Sequence, residues 1–66
     1  LQEQQEFIVS SFPNIGALNA KKFLERFKSI KNFVNASKED LTQIDKIGDK
    51  TAQKLLDMFE KEYEKD

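Results

Sequence analysis

Apolar residues along this chain recur at helical rather than strand-like intervals. Ala20, Phe23, Leu24 and Phe27 follow an i, i+3, i+4, i+7 spacing, which places them on one face of a helix expected over 17–27. Lys21, Lys22, Glu25 and Arg26 fall on its other side. Ala52, Leu55, Leu56 and Phe59 repeat that spacing in a helix expected over 49–63. No stretch alternates strand-like over several residues, so the pattern predicts an all-α fold of five short helices. The first is expected over 3–11, with Phe7 and Ile8 as its main apolar residues. Phe12-Pro13 ends it, because the residue before a proline avoids the helical region. Ser29 reads as the N-cap of a short third helix carrying Ile30, Phe33 and Val34. Ser37-Lys38-Glu39-Asp40 reads as a capping box opening a fourth helix through about Gln43. The apolar residues of the connector 28–36 predict that it packs against both halves of the chain.

The two longer helices belong to a repeat. Ile15, Gly16, Ala20, Lys22, Leu24 and Phe27 reappear 32 residues later as Ile47, Gly48, Ala52, Lys54, Leu56 and Phe59. In each copy a turn feeds directly into a helix. The turns lie at 12–20 and 44–52, and both glycines of the chain fall in them. A glycine lets the backbone turn tightly and approach a ligand closely. The first amides of the following helix lack intrahelical partners, and the helix dipole makes that end mildly positive. A phosphate suits both features. Ile15 and Ile47 are expected to anchor the turns inward. A single loop-to-helix glycine says little, but two copies at one spacing favour a binding role over a purely structural one.

Charge refines this picture. The whole chain carries a net charge of −1, which taken alone argues against nucleic acid. The distribution is uneven, however. Residues 12–56 hold nine Lys/Arg against five Asp/Glu, while the segments on either side are acidic. The local field decides what a surface attracts. The second turn has the better phosphate chemistry, with Lys46, Lys50, the Thr51 hydroxyl and Lys54, although Asp49 opposes an anion there. The first depends on its amides, Asn19, Lys21 and Lys22.

Several function classes lose support. There is no cysteine or histidine, which removes disulfides, thiolate metal sites and the commonest general base. No metal site, cofactor or catalytic group is expected. The acids of the C-terminal tail form a solvated helical end rather than a converging cluster. No apolar run approaches the roughly 20 residues that span a bilayer, no signal peptide is visible, and no membrane partner is expected. The start at Leu1 fits a single domain, 1–66, cut from a longer protein, and processing would explain it equally.

The pattern apolar–x–x–Ile–Gly–x–x–x–Ala, present twice, resembles the tandem helix-hairpin-helix domain. The connector Phe27-Lys28-Ser29-Ile30-Lys31, followed by Ala36-Ser37-Lys38-Glu39-Asp40-Leu41, is similar to the same family. Within it the chain looks most like the C-terminal domain of the XPF/Hef structure-specific endonucleases. The opening Phe7-Ile8-Val9-Ser10-Ser11-Phe12-Pro13 resembles the archaeal Hef version. The UvrC excision nucleases end in a similar tandem domain. The resemblance implies binding to duplex, forked or flap DNA through backbone phosphates, without reading sequence. It also implies a homodimer, or a heterodimer with a homologous domain, inside a larger nuclease or helicase. An intracellular location is implied too: cytoplasm or nucleoid in an archaeon, nucleus in a eukaryote.

Carried over by position, the DNA contacts would be Asn14, Ile15, Gly16, Ala17, Leu18 and Asn19 in the first turn. In the second they would be Lys46, Ile47, Gly48, Asp49, Lys50 and Thr51, with Lys21, Lys22 and Lys54 flanking the two sites. The family commonly has glycine where this chain has Asn14 and Lys46, and Lys46 would be strained if its φ were positive. Phe7, Ile8, Met58, Phe59 and Tyr63 are candidates for a dimer surface. The rival reading is a protein-interaction module that only dimerises, with degenerate turns.

Overall fold

The computed structural model describes residues 1–63. Its elements are α1 (Gln2–Ser10), α2 (Gly16–Phe27), α3 (Ile30–Val34), α4 (Lys38–Thr42) and α5 (Asp49–Glu60). Among the described residues all regular structure is helical, as the apolar spacing predicts.

The ends of α1 explain its short length. The Ser10 hydroxyl donates to the Phe7 carbonyl at 3.0 Å and the Ser11 hydroxyl to the Ile8 carbonyl at 2.7 Å. Both carbonyls also accept from the Ser11 amide, at 3.2 and 3.3 Å, so the hydroxyls add a second bond to each at the helix end. Three adjacent apolar residues cannot share one face. Val9 takes the buried position, while Phe7 and Ile8 stay exposed. Phe7 and Ile8, the main apolar residues expected in this helix, thus lie outside the core. The helix turns on Val9, whose position 32 residues before Leu41 extends the repeat.

The repeat governs the core. Val9 and Leu41, Ile15 and Ile47, Ala20 and Ala52, and Phe23 and Leu55 are all buried, each pair at the same offset. Leu24, Phe27, Leu56 and Phe59 pack partly buried around them. Phe33 in α3 lies outside the repeat and is completely buried. Its ring meets Phe23 at 4.8 Å, Phe59 at 5.2 Å, Phe12 at 5.9 Å and Phe27 at 6.2 Å between centroids. One residue of the connector thus fills the seam between the halves, and edge-to-face rings add to the apolar burial.

The short helices α3 and α4 are fixed by their caps. The Ser29 hydroxyl accepts from the Asn32 amide at 3.0 Å, and the Ser37 hydroxyl from the Asp40 amide at 3.1 Å. Asn32 Nδ2 also donates to the Phe27 carbonyl at 2.8 Å, tying α3 to the last turn of α2.

α5 ends at Glu60, not at Tyr63 as the apolar pattern had extended it. Lys61 adopts an extended conformation, and Tyr63 is 90% exposed. Among the described residues, none beyond Phe59 reaches the core to hold another turn. Glu60 and Glu62 also place negative charge at the negative end of the helix dipole.

Candidate nucleic-acid interface

Two equivalent turns lead into α2 and α5. The Ile15 amide donates to the Phe12 carbonyl at 3.3 Å, and the Ile47 amide to the Ile44 carbonyl at 3.0 Å. The third residue of each turn has positive φ: 66° at Asn14 and 68° at Lys46. A turn of this kind accepts proline second and glycine or asparagine third. Pro13-Asn14 meets both preferences. Asp45-Lys46 meets neither, so Lys46 sits in the strained left-handed region. Just before each turn a hydroxyl bonds back to a carbonyl, Ser10 to Phe7 and Thr42 to Glu39, both at 3.0 Å. The repeat thus extends into hydrogen bonds made by unlike residues.

The helix openings differ from those of α3 and α4. Neither α2 nor α5 has a side-chain cap hydrogen bond. Their first-turn amides are open donors at exposed positions: Gly16, Ala17 and Leu18 in the first site, Gly48, Asp49 and Lys50 in the second. Ile15 and Ile47 are buried, so only their backbones are available to a ligand. Asn19 and Thr51 are half-buried.

The two glycines serve different ends. Gly16 has φ +72°, a conformation that resists any side chain. Gly48 has φ −96° and an extended backbone, which other residues adopt freely. A Cβ on either would meet nothing within 4 Å. Backbone geometry therefore favours glycine at 16. At 48 nothing within the chain demands it, beyond its moderate merit as an N-cap. A bare, outward-facing backbone at 48 suits an approaching ligand.

The exposed side chains also divide. Pro13, Asn14, Ala17 and Leu18 of the first turn are uncharged, and Leu18 is 68% exposed. Asp45, Lys46, Asp49 and Lys50 of the second are all charged and exposed. Lys21 and Lys54 are exposed and Lys22 is half-buried. Lys22 Nζ lies 3.8 Å from Asp45 Oδ2, joining α2 to the second turn. The linear sequence gives no signal for that pair, because Asp45 occupies the position matched to Pro13 in the repeat.

Of the residues expected on a dimer surface, Phe7, Ile8, Met58 and Tyr63 are exposed. Phe59 is not. Its ring packs on Phe12 at 5.4 Å and on Phe33 at 5.2 Å, so it belongs to the aromatic core. Among the described residues, no group of three or more His, Cys, Asp or Glu side chains is placed to hold a metal ion. No helix among them is long and apolar enough to cross a membrane.

The helix-hairpin-helix motif family model matches residues 7–66. The chain belongs to that family. A protein of Methanocaldococcus jannaschii named as an ATP-dependent RNA helicase is 38% identical over 64 residues, 97% of this chain and 8% of the relative. The UvrABC system protein C of Clostridium novyi is 33% identical over 52 residues, 79% of this chain and 8% of the relative. The solved structure of XPF from Aeropyrum pernix superposes with a TM-score of 0.89 at 36% identity. The same protein in complex with DNA gives a TM-score of 0.90. Each XPF match covers 96% of this chain and 32% of the XPF chain. The likeness to an XPF-type domain, expected from the two turns and the connector, thus holds in both sequence and structure. The chain spans under a tenth of the curated relatives it matches and about a third of the XPF chain.

Proposed function

We propose that this domain binds DNA without reading its sequence, by seating backbone phosphates on the open amides of α2 and α5. The observation that carries the reading is the pair of equivalent turns leading into uncapped helices. Each presents an outward glycine, while the serine-capped α3 and α4 present none. The 36% identity to an XPF solved with DNA supports it. Asn14 to Asn19 with Lys21 and Lys22 form one phosphate site, and Lys46 to Thr51 with Lys54 form the other. The backbone alone acts at Ile15 and Ile47. The domain serves a larger structure-specific nuclease or helicase-nuclease, whose chemistry lies in other parts of that protein. It places that chemistry on duplex, forked or flap DNA.

The exposed Phe7, Ile8, Met58 and Tyr63 favour a second role as a dimer surface, with a like chain or a homologous one. Large apolar side chains left in water are a common mark of such surfaces when they form a patch.

Binding to a short duplex over a series of salt concentrations tests the main reading. About four neutralised phosphates give a slope of log K against log salt near −3.6. The Gly16 and Gly48 amide resonances should shift on addition of a short fork. Failure to bind any DNA at low salt, together with a dimer by sedimentation, would leave the interaction module as the better account.

A further inference from the structure

Lys22 and Asp45 come from different halves of the repeat, yet their charged atoms lie 3.8 Å apart. Lys22 follows the open first turn of α2, and Asp45 precedes Lys46 in the second turn. The pair therefore lies beside both proposed phosphate sites. It is not a feature of the scaffold: the repeat counterparts are Lys54 and the uncharged Pro13. Both groups reach solvent, at 36% and 72% side-chain exposure. An exposed pair of this length adds little to folding and is open to exchange with another anion.

We propose that Asp45 holds Lys22 in the free domain and yields it to a DNA backbone phosphate, so that this exchange moderates the grip on DNA. The inference rests on reading the two turns as phosphate sites. A polyanion lying across both turns meets the Lys22 ammonium group. Before the phosphate can pair with it, the Asp45 carboxylate must let go. Asp45 thus acts only through Lys22, as an anion competing with the phosphate. Lys54, the counterpart of Lys22, is matched with Pro13 rather than with an acid, so the two sites engage DNA at unequal cost.

A double-mutant cycle on the whole chain, read by fluorescence anisotropy with a short duplex at fixed low salt, tests this. Thermal melts confirm that each variant is folded. Asp45→Asn should raise affinity between about two- and five-fold, the range open to an exposed pair. In the Lys22→Met background the same change should raise it by less than about 1.5-fold. Asp49→Asn is the charge-matched control, and its effect should be equal in both backgrounds. An equal gain from Asp45→Asn with and without Lys22 would reduce Asp45 to general repulsion and overturn the proposal. Weaker binding by Asp45→Asn would overturn it in the opposite sense, by showing that Asp45 aims Lys22 at the phosphate. A wild-type chain that binds no DNA would instead remove the functional reading itself, a result distinct from either of these.

Discussion

Lys46 carries two opposing consequences that one substitution separates. Its φ of 68° lies in the left-handed region, where Cβ crowds the following carbonyl. A residue with a side chain loses about 1–2 kcal/mol there. Lys46→Gly removes that cost but leaves a freer unfolded chain, which takes back about 0.4–1 kcal/mol. The net expectation is a gain near 1 kcal/mol. For a domain of this size that raises Tm by about 4–8 °C. The same change removes one cation from the second phosphate site, so the salt slope should become shallower by about 0.9. Stability and ionic binding thus move in opposite directions. Circular-dichroism melts and a salt series on one duplex measure both. Lys28 supplies an internal control: it has φ 74° at the C-cap of α2, the opposite end of that helix from Gly16. Lys28→Gly should raise Tm comparably and leave the salt slope unchanged. A Tm that does not rise in either variant would refute the strain argument. An unchanged slope in Lys46→Gly alone would show that Lys46 meets no phosphate.

Two other substitutions address the second site and the core. Serine is a better N-cap than glycine by a few tenths of a kcal/mol, and position 48 has room for it. Gly48→Ser should therefore keep or slightly raise Tm while weakening DNA binding, because its hydroxyl competes for the amides a phosphate would use; undiminished affinity would count against those amides. Phe33→Ala empties the seam between the halves at about 3–5 kcal/mol, against a total near 3–10 kcal/mol for 66 residues. Chemical denaturation should show at least about a third of the stability lost and, toward the lower end of that total, an unfolded variant; a Tm loss of only a few degrees would mean that the seam closes over the cavity.

Much of this architecture is legible in the sequence because it rests on periodicity and local chemistry. The i, i+3, i+4, i+7 faces of α2 and α5 are local signals, as are the serine caps of α3 and α4. Both survive folding unchanged. The points left open or misplaced lie where tertiary geometry chooses among local equals. Phe7, Ile8 and Val9 are equally apolar, and only the angle of α1 against α2 selects Val9 for the core. Phe59 lies on the apolar face of α5 and beside the surface candidate Met58, and the ring of Phe33 draws it into the core. The end of α5 depends on what Tyr63 can reach, and it reaches nothing buried. The Lys22–Asp45 pair joins two halves whose separation is not encoded in any short stretch.

The identity of the two glycines conceals a difference that bears on how such a site arises. Both copies keep the turn hydrogen bond, the buried isoleucine and a positive φ at the third turn residue. They then part at the glycine, positive φ at 16 and extended at 48. If glycine served only the turn, position 48 would be open to serine, asparagine or aspartate, all at least as good at an N-cap. Those side chains would place an oxygen over the helix amides, satisfying the donors from within and closing them to an outside anion. Ser29 and Ser37 do this for α3 and α4. A chain that caps its two shortest helices with serine, and leaves bare glycine at the start of α5, keeps open the donors that an external phosphate can use. At 16 the backbone requirement alone accounts for glycine. The case for a ligand therefore rests more heavily on Gly48 than on Gly16, and the second turn is where loss of binding should be sought first.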